Sequence, residues 1–340
     1  MIENGFTALP DLAVRSLGGS VVAASDEAFA VKENLVNPWA PTFSPGTFGP
    51  RGQEYDGWET RRRRPDARGE LGHDWAVVRL GLPGVIRGVV IDTAWFRGNF
   101  PPLASVEACA AEGYPAPDEL AGWVEIVPRS PLEGDRAHFF PVEVERRFTH
   151  VRLNVFPDGG VARLRVHGEV VPDPRPLAGL TVDLAALENG ARVTGCSDEF
   201  YSSPGNMLFP GLARTQAEGW ETARRRGAGN DWAVVRLAAA GVVRLAELDT
   251  GNLRFNAPGW ASLSGMDERA DPGRWFPLLE RTRLQPDLRH RFRIEDAPET
   301  THVRLDVHPD GGMARLRLLG DLSPSGARAL RERWARLGGG

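Results

Sequence analysis

Polar and apolar residues alternate with a period of two in several short stretches of this chain. Across 151–155, Val151, Leu153 and Val155 alternate with Arg152 and Asn154. Across 162–170, Leu164 and Val166 oppose Arg163, Arg165 and His167. Such alternation predicts strands with one face buried. Residues 74–80 and 85–96 are apolar and β-branched, and Gly88 marks a candidate bulge in the second run. Pro157-Asp158-Gly159-Gly160, between two alternating runs, predicts a hairpin turn whose glycines are free to take positive φ. Residues 303–307 and 315–319 repeat the strand pattern. A helical period is absent from both halves except at 325–337, where Ser325 is the expected cap and Leu330, Trp334 and Leu337 form a stripe for docking on the same chain. Many short strands joined by Gly, Pro and Asp turns predict an all-β chain built as an antiparallel sandwich or jelly roll.

The pattern occurs twice. Asp56-Gly57-Trp58-Glu59-Thr60-Arg61-Arg62-Arg63-Arg64 returns as Glu218-Gly219-Trp220-Glu221-Thr222-Ala223-Arg224-Arg225-Arg226. Asp-Trp-Ala-Val-Val-Arg-Leu stands at both 74–80 and 231–237. Asp92-Thr93 matches Asp249-Thr250, and Thr149-His150-Val151-Arg152-Leu153 matches Thr301-His302-Val303-Arg304-Leu305. Ser25-Asp26-Glu27 returns as Ser197-Asp198-Glu199, so each copy starts upstream of its Trp-Glu-Thr motif, near Leu17 and near Asn189. A period this long means two domains of one fold rather than a solenoid. The expected division is a first jelly-roll repeat over 11–171, a proline-rich linker over 172–179, a second repeat over 180–322 and a helical tail over 323–340.

Composition narrows the partners. The 340 residues are 41% hydrophobic and 25% charged, as in a soluble globular protein, and the net charge of −4 calls for neither nucleic acid nor an anionic membrane. Lys32 is the only lysine, so the positive charge is almost all arginine. Cys109 and Cys196 occupy unmatched places in the two copies, which argues against a disulfide framework or a metal cluster. The first ten residues lack a secretory pattern, and no stretch reaches the roughly 18 apolar residues of a membrane helix. A reducing cytoplasm is the expectation. No P-loop, dinucleotide fingerprint or nucleophile elbow is present.

The candidate chemistry lies where the copies agree and where they part. Asp74, Asp92, Arg97 and Asn99 keep the counterparts Asp231, Asp249, Arg254 and Asn256, whereas His73 becomes Asn230 and Glu107 becomes Ser264. Loss of two titratable groups from the second copy favours a working site in the first; drift at exposed positions is the competing explanation.

In combination, Asp56-Gly57-Trp58-Glu59-Thr60-Arg61-Arg62, Ile91-Asp92-Thr93-Ala94-Trp95-Phe96-Arg97-Gly98-Asn99, Trp123-Val124-Glu125, Phe148-Thr149-His150 and Pro157-Asp158-Gly159-Gly160-Val161-Ala162-Arg163 resemble the allantoicase family, in order and in both halves. The resemblance covers about 11–322. It implies tandem jelly rolls of the galactose-binding-like type and hydrolysis of allantoate to ureidoglycolate and urea. It also implies three tasks: a cation for the substrate carboxylate, polar groups for the retained ureido arm, and acid/base groups for the leaving urea and the attacking water. On that basis Glu107 and His73 are assigned to acid/base work, with Asp92 counted in the same catalytic set. Arg62 or Arg97 is assigned to the carboxylate, Asn99 and Asp92 to the ureido arm, and Glu59 and Asp74 to substrate binding. The chemistry demands no metal, although Asp, Glu and His close together would hold a divalent ion weakly. A homo-oligomer is expected. The alternative is a non-catalytic tandem module binding carbohydrate or a small anion, or a scaffold that only oligomerises.

Overall fold

The computed structural model describes residues 5–338. The chain divides into two compact units, one comprising Met1–Val171 and Ala335–Gly340, the other Pro172–Trp334. Each is a jelly-roll sandwich.

In the first unit the strand Asp74–Asp92 runs through both layers. Its first half pairs antiparallel with Ser20–Ala24 and Arg147–Phe156, and the latter continues through Leu103–Cys109 to Val124–Pro131. Its second half pairs with Arg163–Val170 and Ala137–Pro141. The change of partner falls between Arg79 and Gly84. There the backbone of Glu169 comes so close that a Cβ on Gly84 would lie 2.1 Å from its carbonyl oxygen, so glycine lets the strand cross from one layer to the other. The runs at 74–80 and 85–96 are therefore one strand, and it ends at Asp92 because residues 93–96 turn away. The ladder is interrupted one residue before Gly88: His167 faces Gly88 and Gly168 faces Ile86, so the extra residue is Arg87.

Pro157-Asp158-Gly159-Gly160 is not the turn of a hairpin. The strands it connects, Arg147–Phe156 and Arg163–Val170, lie on different halves of Asp74–Asp92, so this segment crosses between layers. On the way Gly160 and Val161 pair with Glu59 and Trp58. Gly159 takes φ 140°, and a Cβ there would sit 2.6 Å from the Pro101 nitrogen. Glycine is required at this crossing both for conformation and for space.

The second unit repeats this plan. Asp231–Asp249 pairs with Arg192–Cys196 and Thr300–His308 in one half and with Arg315–Leu322 and Arg289–Arg293 in the other. The only α-helix among the described residues is Pro324–Arg336. Its start is capped by Ser323 rather than Ser325: Ser323 Oγ accepts the Gly326 N–H at 3.0 Å, and Pro324 occupies the first turn, where a missing N–H costs nothing.

The fully buried interior is aliphatic, with Val78, Ile86, Ile91, Leu153 and Leu164 in the first unit and Val235, Leu248, Leu305 and Leu316 in the second. Trp58 and Trp220 close the corresponding end of each sandwich, wholly buried, and donate from Nε1 to the carbonyls of Asp26 and Asp198. Asp74, Asp92, Leu103, Phe156 and Arg163 all stand at this end, as their pairings and the Asp74 N–H to Pro157 carbonyl bond require. The irregular chain of 25–73, the turn 93–102 and the crossing 157–162 gather here.

Buried arginine holds that gathering. Arg163, 1% exposed, donates to the carbonyls of Trp39, Asp56 and Ala162 and to the Asp56 carboxylate at 2.7 Å. Arg315 donates in the same way to Gly211, Glu218, Asn206 and Ala314. Arg163→Met should cost about 3–5 kcal/mol in guanidinium unfolding, because it strands a carboxylate and several carbonyls. Lysine, lacking the fork, should recover little of this. A loss below about 1 kcal/mol for Arg163→Met would contradict this account.

Candidate functional site

Glu59 follows the buried Trp58 on a two-residue strand held on both sides. Ala30 pairs with it on one side and Gly160 on the other. This fixes the backbone, and the side chain is left 9% exposed at the mouth of the loop cluster. Oε1 accepts the Asn99 Nδ2–H at 2.7 Å. Oε2 has no partner among the described residues. Asn99 is itself fixed, since its carbonyl accepts the Gly160 N–H at 2.7 Å. Burial raises the pKa of Glu59 above its ordinary value, and the single bond from Asn99 offsets only part of this. A carboxyl of this kind, with one oxygen anchored and one free, holds its proton more tightly than an exposed carboxylate does.

The arginines of the following run differ in their freedom. Arg61 is tied to Asp26, through Nε at 2.7 Å and its backbone N–H at 2.9 Å. Arg63 donates from Nε and Nη2 to Asp74 Oδ1, and its N–H goes to Asp158. Arg62 and Arg64 make no hydrogen bond or ion pair among the described residues. A cavity of about 670 Å³ flanks Ser20–Ala24 and is lined by Asp26, Glu27, Lys32, Arg51 and Arg61. The second copy has Pro204 for Lys32 and Ala223 for Arg61, so this cationic rim belongs to the first.

The other expected site residues fall elsewhere. Asp74 is buried; Oδ1 takes Ser25 Oγ at 2.9 Å as well as Arg63, and Oδ2 has no partner among the described residues. Asp231 repeats this arrangement with Ser197 and Arg225, so it serves both copies. Asp92 caps its own turn by accepting the Ala94 N–H at 2.9 Å, as Asp249 does for Gly251. Arg97 is largely exposed and pairs with Asp135 at 3.0 Å, as Arg254 pairs with Asp287 at 3.4 Å.

His73 and Glu107 come near each other, but on the face of the sheet opposite the core. Glu107 is half-buried there beside the buried Ser105 and Cys109, on the face opposite Ala104, Val106 and Ala108. Glu107 Oε2 accepts from Arg152 Nη2 at 2.7 Å and from Asn154 Nδ2 at 2.9 Å, and Arg152 lies over the Trp123 ring. The His73 ring packs 4.8 Å from that of Phe156. Burial and the nearby Arg63 and Arg152 push its pKa down, so it is neutral at pH 7. No hydrogen bond joins this pair to Glu59 or Asn99 among the described residues.

The second copy gives this cluster a structural explanation. Asp306, in place of Asn154, accepts from Asn230 Nδ2 at 2.8 Å and from Arg304 Nη2 at 2.9 Å. The carboxylate has moved from Glu107 on one strand to Asp306 on its neighbour, and His73 has become a donor amide in step. The paired change is legible in the sequence once the two copies are set in register, because Asn154 becomes Asp306 as Glu107 becomes Ser264. Among the described residues no three His, Cys, Asp or Glu side chains converge as metal ligands would.

Trp39, Trp95 and Trp260 are exposed, at 54%, 37% and 41%. Trp58 and Trp220 are core, and Trp75, Trp123 and Trp232 are no more than half exposed, the last two beneath arginines. Fold and site together define a duplicated jelly-roll protein whose first copy sets a buried carboxyl and, among the described residues, unpaired arginines at its loop end. The description "allantoicase repeat" matches residues 10–171 and 182–323, and the chain belongs to the allantoicase family. It is 57% identical to a probable allantoicase of Nocardia farcinica, covering 94% of this chain and 96% of that one. It is 51% identical to another from Streptomyces coelicolor, with 98% and 91% covered. The crystal structure of allantoicase from Saccharomyces cerevisiae superposes with a TM-score of 0.77 at 35% identity, over 94% of this chain and 97% of that one.

Glu107→Ser should destabilise the protein by about 1–3 kcal/mol, since it leaves Arg152 and Asn154 without their acceptor. Adding Asn154→Asp and His73→Asn, the residues of the second copy, should restore most of that loss in thermal unfolding. A triple variant no more stable than the single one would rule out the relocated-carboxylate account.

Proposed function

We propose that this chain hydrolyses allantoate to ureidoglycolate and urea, and that the loop end of the first repeat is the working site. The observation that carries the site is the free Oε2 of the buried Glu59. In the reaction the bond from the central carbon to one ureido nitrogen breaks and a bond from that carbon to water oxygen forms. The proton lost by water balances the proton gained by the departing urea nitrogen. A single carboxylate can perform both transfers, taking the first proton as base and returning it as acid. Glu59 is suited to this by its geometry, with Oε1 anchored by Asn99 and Oε2 free, and by burial that raises its pKa above the ordinary glutamate value. Asn99 holds Oε1 and so aims Oε2 at the substrate.

Arg62 is the cation assigned to the substrate carboxylate. Arg61 and Arg63 are engaged by Asp26 and Asp74, and Arg97 by Asp135, whereas Arg62 and Arg64 are free among the described residues, and Arg62 is the nearer of the two to Glu59 along the chain and available for a bidentate contact. Asp74 acts through Arg63, keeping the run in place. His73 and Glu107 brace the sheet beneath.

The same proposal places the enzyme in the cytoplasm as a homo-oligomer. Cys109 and Cys196 are free thiols, and no described helix is long and apolar enough to cross a membrane. Phe255, Phe200 and Tyr114 are strongly exposed and available for association. Light scattering that returned the mass of a single 37.1 kDa chain would refute the oligomer.

Glu59→Gln keeps the shape and the Asn99 contact but cannot move a proton. Its kcat should fall by about 10²–10⁴; turnover close to the parent enzyme would remove Glu59 from the mechanism. Because the folded-state pKa of Glu59 is raised, its contribution to stability is present at low pH and lost as pH rises through that pKa. Glu59→Gln should therefore match or exceed the parent melting temperature at pH 8, with the advantage fading below pH 4.5, the ordinary glutamate value. Arg62→Ala should raise KM for allantoate about 10–100-fold, with a smaller effect on kcat, as steady-state kinetics will show.

A further inference from the structure

The second copy keeps the three residues on which the proposed site depends. Glu221, Asn256 and Arg224 stand where the first copy has Glu59, Asn99 and Arg62. Asn256 Nδ2 donates to Glu221 Oε1 as Asn99 does to Glu59. Arg224, like Arg62, has no partner among the described residues. The difference lies at the other carboxylate oxygen. Glu221 Oε2 accepts the Nε2–H of Gln216 at 2.7 Å, whereas Glu59 Oε2 is unoccupied.

Gln216 begins the short turn Gln216–Glu218, upstream of the Trp-Glu-Thr motif. The matching position in the first copy is Glu54, which has no N–H to give. The Gln216 side chain ends in a carboxamide, the same O=C–NH₂ group that ends a ureido arm. It meets the carboxylate with the N–H that the substrate would present in the first copy.

We propose that the second repeat holds a latent site for a ureido carboxylate, occupied by the chain's own Gln216 as an internal substitute for the ligand. This rests on the reading of Glu59, Asn99 and Arg62 given above. The carboxamide is tethered a few residues from Glu221, so its effective concentration is far above that of a dilute ligand. Displacement by a free ureido compound is therefore unfavourable, and the parent chain binds ligand in its first repeat alone. Gln216 is exposed, and its removal opens the site without disturbing the core.

The test is calorimetric titration with N-carbamoylglycine, which carries one ureido group and one carboxylate. The parent chain should bind one equivalent, and both Gln216→Ala and Gln216→Glu should bind two. Glu59→Gln combined with Gln216→Ala should bind one, and adding Glu221→Gln should abolish that one. If the Gln216 variants, folded by circular dichroism, still bind a single equivalent, the latent site is overturned; two equivalents on the parent chain would overturn it as well. Failure of the underlying reading shows separately: Glu59→Gln alone would then keep the parent's one equivalent.

Discussion

A jelly roll of this type must carry a long irregular segment across the end of its sandwich, and every buried backbone group there needs a partner. Strand pairing cannot supply them, because little of 25–73 is strand. Arg163 and Arg315 supply them instead, each fully buried at the first residue of a late strand, with donors spread over several loop carbonyls. A planar fork with five N–H groups suits this, which no other side chain offers. The position of Trp58-Glu59 follows from that anchoring, for Asp56 is bound by Arg163 and Trp58 is pinned to Asp26. The chemistry at Glu59 therefore depends on a guanidinium that takes no part in it.

The duplication acts as an internal control. Ser25-Asp74-Arg63 and Ser197-Asp231-Arg225 each join a serine hydroxyl and an arginine Nη2 to one aspartate oxygen, and the turn caps Asp92 and Asp249 match as well. Contacts of this kind, present in both copies, serve the fold of each. Absence from one copy is harder to interpret. Glu107 and His73 vanish from the second repeat, yet their tasks pass to Asp306 and Asn230, so charge and hydrogen bonds are conserved while identities are not. Gln216 has no such compensating partner. It adds a bond in one copy at an atom left open in the other, and a difference of that kind marks ligand chemistry rather than scaffold.

The electrostatics of the loop end separate fixed charges from available ones. Most arginines there are spent on neighbouring carboxylates, which neutralises them and stiffens the loops. Glu59 has no cation among the described residues, and burial raises its proton affinity against the smaller opposing effect of the Asn99 hydrogen bond. Arg62 has no anion. A substrate bearing a carboxylate and ureido N–H groups supplies the complement of both, so binding it satisfies an acceptor and a donor that the fold leaves unmatched.

Period-two alternation, the repeated motifs and the absence of helical patterning determined that the chain is all-β and duplicated, and the combined motifs placed it in the allantoicase family. These are local or self-comparing signals, carried by residues close together or by the second copy. The sequence also held Glu59, Asn99 and Arg62 among its candidates. Only the tertiary structure decided which arginines of 61–64 are free, that Asp158-Gly159-Gly160 crosses between layers rather than closing a hairpin, that Ser323 caps the helix, and that Asp92 and Arg97 are occupied locally. It alone moved His73 and Glu107 onto the outer face of the sheet, away from Glu59. The reason is range: Arg63 reaches Asp158, Asn99 reaches Glu59 and Arg163 reaches Asp56 across 95, 40 and 107 residues. A side chain's partner at such separations is set by how the layers fold over one another, which no local pattern encodes.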